Sequence, residues 1–196
     1  AELENFSANL GKALITADGG ANLNTGVFSA ELKTENLDFK VIPELKKLKG
    51  VYNLYANASG NYNEIESIKA DAVFKAQNAG WEKMKFGDFN FPVNWANNIL
   101  KISQAKANLP GGTLNLNGII NLTDTADPDF DLVLLTRGIN LATALNAFNL
   151  QDKNMKVSGK ISGQADVKGS VKNPSLNAAL RAEKIKAGTL VDMPEA

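Results

Sequence analysis

The stretch Met155–Ala182, which reads MKVSGKISGQADVKGSVKNPSLNAALRA, decides the fold class. Its small and apolar residues fall on alternate positions, first on odd numbers such as Val157 and Val167. Successive side chains of a β-strand point to opposite faces, so this alternation predicts strands with one apolar and one polar face. The segment Asn173–Ser175 interrupts the run, because proline has no N–H for a strand ladder and Asn-Pro favours a turn. The apolar set then resumes on even positions, which predicts two or three antiparallel strands that share one apolar face.

The composition of the chain argues against several classes of function. Its 196 residues contain 21 Lys and Arg and 21 Asp and Glu, and this balance argues against nucleic acid as a partner because phosphate binding needs a basic surface. Cysteine and histidine are both absent, which removes thiolate chemistry and the commonest general base and metal ligand. We therefore expect no enzyme, no catalytic residue, no metal site and no cofactor. No run of about 18 apolar residues occurs, so the sequence predicts no helix that spans a membrane.

Alternating apolar residues predict strands along much of the chain. Asp18–Gly20 and Thr25–Gly26 are expected as turns or bulges between the first of these strands, because glycine adopts backbone angles that other residues avoid. The segments with a strand pattern are 13–17, 21–23, 27–32, 52–58, 68–76, 114–122 and 130–134.

Two segments break the alternation and predict short helices. In Val41–Lys49 the apolar residues recur at helical spacing, with Asp38 as an N-cap and Gly50 as the end of the segment. Asn140 is expected to cap a second helix over Leu141–Leu150.

The stretch Trp81–Trp95 holds the highest concentration of aromatic residues, including Phe86, Phe89 and Phe91. A core plug, or the closing of one strand edge, is the interpretation that we favour. Contact with the acyl chain of a lipid is the alternative.

The aspartates Asp124, Asp127, Asp129 and Asp131 cluster around Pro128. A calcium site needs several carboxylate oxygens at about this density. A solvated hairpin loop accounts for the same residues more simply, and we favour it.

The two halves of the chain resemble each other. Ala8–Leu10 corresponds to Ala107–Leu109, Gly19 corresponds to Gly118, and the two predicted helices coincide. This order predicts one continuous segment built of two pseudo-repeats, 1–98 and 99–196, with one short helix in each repeat. Because the chain starts at Ala1 rather than at Met, we expect it to be a piece of a longer protein whose membrane anchor and further repeats are absent.

Three segments carry a resemblance to a known family. They are Leu109–Gly118 (LPGGTLNLNG), Pro128–Leu132 (PDFDL) and Gly163–Leu176 (GQADVKGSVKNPSL). Together they resemble the TamB and AsmA-like envelope proteins, most clearly over residues 100–190.

The resemblance implies a mainly β fold: an elongated, curved, partly open antiparallel sheet (a β-taco) whose interior is a hydrophobic groove. It implies a conduit that moves phospholipids across the periplasm of a diderm bacterium, with a role in outer-membrane protein assembly or secretion. The implied partners are phospholipid acyl chains, a BamA-like outer-membrane barrel (TamA or BamA) and, through an absent anchor, the inner membrane.

We expect the lining of this groove to come from large apolar residues on one strand parity, because each buried CH₂ contributes roughly 0.8 kcal/mol. Small residues beside them would leave room for an acyl chain. The predicted lining residues are Leu54, Phe74, Phe86, Leu114, Leu116, Ile120, Leu122, Phe130, Leu132, Leu134, Val157, Ile161, Val167, Val171, Leu176 and Leu180.

The same alternation also fits a structural β-solenoid, a scaffold whose apolar face is filled by its own side chains and binds no lipid. The two hypotheses differ in the free volume beside the apolar face. Slim residues such as Ala165, Ala178 and Ala182 favour a groove. Phe86, Phe89 and Phe91, in contrast, are large enough to fill it.

Overall fold

The computed structural model describes residues 1–150 and 155–189. They form one antiparallel sheet of eleven strands in which every strand pairs with its neighbours in sequence. The predicted mainly β, open, antiparallel fold is thereby confirmed. The strands are β1 (Glu2–Leu10), β2 (Ala13–Ala21), β3 (Val27–Leu37), β4 (Leu48–Asn61), β5 (Glu64–Trp81), β6 (Met84–Ala96), β7 (Ile99–Leu109), β8 (Gly112–Asn121), β9 (Asp129–Asn140), β10 (Met155–Ser170) and β11 (Pro174–Thr189).

The sheet is open and uncurled. On this point the structure differs from the curved groove that the resemblance implied. Curvature of a sheet depends on twist and bulges summed over many strands, and no single segment of the sequence encodes it. The apolar side of this sheet is therefore an exposed face and not the inside of a closed channel.

The deciding stretch forms the hairpin β10–β11. Val167 lies directly opposite Leu176, so the odd positions of β10 and the even positions of β11 share one face, as the alternation predicts. The chain reverses between Ser170 and Pro174, where the N–H of Asn173 donates to the carbonyl of Ser170. The prediction of two or three antiparallel strands in this stretch is confirmed, and their number is two.

The register extends this face across the whole sheet. Leu54 on β4 lies opposite Phe74 on β5, which lies opposite Phe91 on β6. Further along, Leu116 on β8 lies opposite Leu134 on β9. We call the side that carries these residues the apolar face, and the opposite side the polar face.

The connections alternate between the two ends of the sheet. One end carries the helical segments that follow β3 and β9, and we call it the helix end. The other end carries turns such as 22–26 and 122–128, and we call it the turn end.

The helix predicted over Val41–Lys49 is not an α-helix. The segment forms two 3₁₀ helices, Phe39–Val41 and Pro43–Leu45, and β4 has begun by Leu48. So short a connection gains too few i→i+4 hydrogen bonds to repay helix nucleation. The predicted cap is confirmed, because the carboxylate of Asp38 accepts from the N–H of Lys40 at 3.0 Å.

The second helix is present. It is α1 (Leu141–Ala147), three residues shorter than predicted, and the side chain of Asn140 accepts from the N–H of Thr143 at 3.0 Å. An α-helix therefore follows β9 but not β3, and the expectation of one helix per repeat holds only in the second half.

Of the turn or bulge predicted at Asp18–Gly20, the turn is wrong, because β2 runs through the segment to Ala21, but a register shift lies opposite it between Leu3 and Phe6 on β1. A Cβ atom at Gly19 would lie 2.7 Å from the backbone oxygen of Ser29. This glycine serves a close approach of two strands rather than a reversal of the chain.

One kind of bulge recurs along the sheet. At each bulge a residue with positive φ donates its N–H to a side-chain oxygen of the following strand, at distances of 2.6–2.8 Å. A bulge leaves one N–H outside the ladder, so the side chain supplies the acceptor that the strand backbone does not. The donor and acceptor pairs are Asn36 with Asn53, Asn78 with Asp88, Gln104 with Asn117, and Gly138 with Ser162.

Candidate functional site

The apolar face is the candidate site, and the structure brings most of the predicted lining residues onto it. Leu122 and Val171 are the exceptions, since they lie in the connections that follow β8 and β10. The residues on the face are Leu54, Phe74, Phe86, Leu114, Leu116, Ile120, Phe130, Leu132, Leu134, Val157, Ile161, Val167, Leu176 and Leu180.

Aromatic rings fill this face near the helix end of β4–β6. The rings of Tyr52 and Phe74 stack with centroids 5.6 Å apart, and Phe89 lies 5.5 Å from Phe74. Phe39, from the first 3₁₀ helix, lies 4.8 Å from Tyr52. We call Phe39, Tyr52, Phe74 and Phe89 the aromatic cluster. Phe39, Phe74 and Phe89 pack against a buried group that includes Tyr52 and Ala76, which are only 3% and 2% exposed.

The aromatic stretch of β6 contributes to this filling. Phe86 packs against the buried core around Tyr52, and its ring lies 6.1 Å from that of Phe148 after α1. Of the two predicted roles, a plug describes Phe86 and Phe89 better than the closing of an edge, because β6 is an inner strand. Sequence reasoning did not select Phe39 and Tyr52, whose partners become visible only with the register.

The turn end of the same strands is lined by alanine. An open apolar depression of about 580 Å³ lies across β2–β5, and we call it the alanine depression. Because an alanine side chain ends at Cβ, the surface here sits lower than beside leucine or phenylalanine. Its alanines on the apolar face are Ala17, Ala21, Ala30, Ala56, Ala58, Ala70 and Ala72.

A second depression, of about 790 Å³, lies at the turn end of β1–β3, and Glu2, Gly20, Val27 and Ser29 of its lining belong to the polar face. The lining residues that both depressions share are Ala1, Glu2, Gly20, Ala21, Phe28 and Ser29. The second also reaches the turn 22–26, where Asn22 and Asn24 add amide groups to its lining. We call it the amide depression. Neither depression was predicted, although the alanines at alternate positions of β4 and β5 are visible in the sequence.

The far edge of the apolar face is open. Leu176 and Leu180 on β11 are 69% and 67% exposed, and residues 171–188 are exposed throughout. The leucines of β8 and β9 are half-buried by their neighbours. The face thus passes from a filled centre to an unfilled edge.

The aspartates around Pro128 serve the turns at this end of the sheet. Asp124 accepts from the N–H groups of Ala126 and Asp127, and Asp127 itself accepts from the N–H of Lys172 at 3.0 Å. Within residues 1–150 and 155–189, no group of three or more acidic side chains is arranged to hold a metal ion.

Some of the ionisable groups whose pKa is shifted belong to ion pairs on the polar face. The carboxylate of Asp131 lies 2.9 Å from the ammonium of Lys168 and raises the pKa of that lysine, as Glu35 does for Lys33. Tyr52 differs, because burial among the aromatic rings raises the pKa of its phenol, with a smaller contribution from Asp38. These groups bind and orient neighbours; none is arranged with a second group for acid–base chemistry.

Comparisons with known proteins found two similar sequences. Residues 103–191 match the TamB C-terminal domain. AsmA from Escherichia coli (strain K12) is 27% identical over 109 residues, which cover 56% of this chain and 17% of AsmA. The match therefore spans less than a fifth of that relative's length, and neither match is to a catalytic family. No solved structure matches the chain. Among the described residues, no helix is long and apolar enough to cross a membrane. These two matches support a TamB/AsmA-like fragment: residues 103–191 are similar to the TamB C-terminal domain, and part of the chain is similar to AsmA.

Proposed function

We propose that the apolar face binds phospholipid acyl chains and forms part of a conduit for phospholipids between the inner and outer membranes. The observation that carries the proposal is a single apolar face that continues across all eleven strands and is open at β11. Soluble proteins rarely leave large continuous apolar patches exposed without a binding role. Similarity to the TamB C-terminal domain and to AsmA supports an envelope role in lipid transport or assembly.

The shape of the face suits movement along it. Each methylene that leaves water contributes roughly 0.8 kcal/mol, so an acyl chain gains from contact with Leu116, Leu132 or Leu134 on adjacent strands. Repeated aliphatic side chains on successive strands offer similar contacts in neighbouring positions. Because the sheet is open, the headgroup of a lipid stays in water while its tail lies on the face.

A structural scaffold is the second candidate function. The aromatic cluster favours it, because Tyr52, Phe74 and Phe89 fill the face near the helix end of β4–β6 with the protein's own side chains. The alanine depression and β11 have no comparable filling among the described residues. We therefore assign the scaffold role to the centre of the helix end and lipid contact to the rest.

The proposed setting is the periplasm, with the inner membrane and a BamA-like outer-membrane barrel as the structures that the whole protein connects. Both contacts are proposed through parts of the protein other than this sheet.

A matched pair on β8 tests the proposal. Ile120 lies on the apolar face opposite Leu100 and Phe130, whereas its neighbour Ile119 lies on the polar face opposite Lys101 and Asp131. Ile120→Arg places a charge where the lipid tail is proposed to lie, and desolvation of that charge opposes tail binding. Ile119→Arg adds the same charge to the other side.

The measurement is transfer of phosphatidylcholine between donor and acceptor vesicles, together with mass spectrometry of lipid extracted from the purified protein. We expect wild type and Ile119→Arg to take up lipid, and Ile120→Arg to lose at least tenfold in transfer while keeping its circular dichroism spectrum. Equal transfer by the two variants, or no lipid uptake by wild type, would overturn the proposed function in favour of the scaffold.

A further inference from the structure

We infer that the outer edge of β11 pairs with β11 of a second copy of this chain, antiparallel and about a two-fold axis that passes through Leu180. This interaction surface goes beyond the proposed function, which assigns no partner to the edge. Three features of β11 lead to it: a bulge that faces the open edge, a register that completes this bulge in both copies, and exposed apolar side chains that the same register brings together.

The recurring bulge follows one register wherever it occurs. In β5 the last regular pair before the bulge is Ala76 with Phe89 on β6. The N–H of Asn78, two residues further on, donates to Asp88, the residue just before Phe89. The ladder resumes three residues after the last regular pair on the bulged strand and two residues before it on the next strand. The bulges of β3, β7 and β9 repeat these offsets against β4, β8 and β10.

The last strand carries a fifth bulge of this kind at Lys184. Its φ is 51°, and that of Asn78 is 52°. The preceding strands also agree, because a glycine with φ near +120° lies opposite each bulge, Gly50 on β4 and Gly159 on β10. A lysine rarely adopts a positive φ, so this conformation is a specific feature of the strand. The N–H of Lys184 is therefore directed, like that of Asn78, to the outer side of its strand, where no further strand lies among the described residues.

The offsets decide which register of an incoming strand completes the bulge. The last regular residue of β11 is Ala182, so the incoming strand needs an Asn, Asp or Ser just before the residue that lies opposite it. β11 itself offers Asn177, directly before Ala178. With Ala182 opposite Ala178 of a second copy, the axis passes through Leu180, and the Lys184 of each copy donates to the Asn177 of the other. One register completes both bulges, as a two-fold interface requires.

The same register matches the exposed apolar residues of β11. Leu180 lies opposite its own copy, and Leu176 lies opposite Ile185. These side chains are 67%, 69% and 47% exposed in the single chain. The alternative acceptor Ser175 would move the axis to Ala179 and place both leucines opposite alanines. Contact between large apolar pairs favours the axis at Leu180.

The polar face permits this register as well. Arg181 lies opposite Ala179 of the second copy, and Lys186 lies opposite Ser175, so like charges do not stand directly opposite each other. Within each copy Arg181 is already paired with Glu183 at 3.0 Å. Because the axis is perpendicular to the sheet, the apolar faces of the two copies lie on the same side and form one surface.

The other edge of the sheet does not fit β11. Neighbouring strands alternate in direction, so β1 and β11 run the same way. Joined to β11, β1 of a second copy would be parallel to it, or antiparallel only with its apolar face turned to the opposite side. Every bulge of the series lies between antiparallel strands that share an apolar face. We therefore assign the edge to a second β11.

Cysteine cross-linking tests the register, because the chain contains no cysteine of its own. A residue on the axis faces its own copy, so Leu180→Cys should form a disulfide-linked dimer under mild oxidation. Ala179→Cys is the matched control: it is exposed on the same strand but lies opposite Arg181, at a diagonal distance of about 7–8 Å from its own copy. We expect Leu180→Cys to cross-link at least tenfold faster. Equal or faster linking of Ala179→Cys would overturn the register that uses Asn177.

Sedimentation equilibrium of the 196-residue chain measures association without a cross-link. We expect a reversible dimer. Asn177→Ala removes two acceptors from the interface, one in each copy, and should raise the dissociation constant at least tenfold. Asn177→Ser keeps an oxygen of the kind that Ser162 supplies in β10, and should bind more tightly than Asn177→Ala. Asn115→Ala, on the polar face of the inner strand β8, should leave the dissociation constant unchanged.

The outcomes separate this interface from the proposed function. A chain that stays monomeric and forms no link in Leu180→Cys would overturn the pairing, as would an unchanged dissociation constant in Asn177→Ala. Growth beyond the dimer would also overturn it, because a two-fold pairing uses the edge of each β11 once. None of these results alters the lipid transfer expected of Ile120→Arg and Ile119→Arg, which tests the apolar face of an inner strand.

Discussion

The centre of the sheet and its last hairpin follow the same sequence pattern and end in opposite states. On β4 and β5 alternate positions carry Tyr52 and Ala76, which are 3% and 2% exposed. On β11 alternate positions carry Leu176 and Leu180, which are 69% and 67% exposed. Alternation therefore decides which face a side chain joins, but it does not decide whether that face is covered.

The difference comes from side-chain size and from neighbours. In a single-layer sheet the only cover for an apolar face is the side chains of adjacent strands and of the connections between them. Aromatic rings from inner strands and from the 3₁₀ helix reach one another in the aromatic cluster, with centroids 4.8–6.4 Å apart. β11 has a paired neighbour only on one side among the described strands, and its leucines face glycine or slender residues such as Gly163 and Val167 on β10.

The largest expected difference in stability between the centre of the sheet and β11 comes from placing an aspartate in each. Ala76→Asp buries a carboxylate among aromatic rings without a partner, and we expect it to lower the free energy of unfolding by about 4 kcal/mol or more, enough to unfold many domains. Ala178→Asp on exposed β11 should change it by less than about 0.5 kcal/mol. Urea unfolding followed by circular dichroism measures both. Similar midpoints for the two variants would mean that the centre of the sheet is as accessible to water as its edge.

A smaller effect is expected at two corresponding glycines. Gly50 on β4 and Gly159 on β10 both have φ near +120°, and a Cβ atom at either would lie within 3 Å of the facing strand. Alanine is strained there, by about 2 kcal/mol or more when crowding is added to the backbone term. At Gly50 the strain lies beside the aromatic cluster, so Gly50→Ala should lower the stability of the whole sheet.

Gly159→Ala should act locally, because β11 can separate without exposing the buried centre. Hydrogen exchange checks this: we expect faster exchange across β4–β6 in Gly50→Ala and faster exchange confined to β10–β11 in Gly159→Ala. Global acceleration in both variants would show that hairpin and centre unfold as one unit.

The parts of this structure that the sequence predicted are those set by local chemistry. The strand pattern of Met155–Ala182 is a property of neighbouring residues, as are the caps that Asp38 and Asn140 provide through their own side chains. The face of Leu116 or Val167 follows from parity alone. These features need no knowledge of which strand lies next to which.

The features that the sequence did not predict depend on which residues of neighbouring strands lie opposite each other, or on twist that accumulates over many strands. Gly19 looks like a turn until Ser29 is placed beside it. The alanine depression exists because Ala58 meets Ala30 and Ala70, and the sequence of one strand cannot reveal that meeting. The uncurled form of the sheet reflects the accumulated twist of many strands, which no motif encodes.

The recurring bulge offers a third test, with a smaller effect. Asp88 accepts from the N–H of Asn78 in the centre of the sheet at 2.7 Å, and Ser162 accepts from the N–H of Gly138 nearer the edge at 2.8 Å. Removing a charged acceptor costs more than removing a neutral one, so we expect about 1.5 kcal/mol for Asp88→Ala and about 0.7 kcal/mol for Ser162→Ala in urea unfolding. Asp88→Asn, which keeps an acceptor oxygen but not the charge, is the control and should recover about half of the loss. Equal costs at the two bulges would mean that the charge of Asp88 adds nothing.

The smallest effect concerns the phenol of Tyr52, whose hydroxyl donates to the carbonyl of Lys49 at 2.9 Å. Burial in the aromatic cluster raises the pKa of this phenol in the folded protein, and Asp38 adds to the shift. Because the folded pKa lies above the unfolded value of about 10, the resulting stability is complete below that pH and is lost as the pH rises through the folded value. We therefore expect the urea midpoint of wild type to fall relative to that of Tyr52→Phe above about pH 10, and a late phase of phenolate absorbance to disappear in the variant. A constant difference across that range would mean that water reaches Tyr52, and the centre of the sheet would then be no better covered than β11.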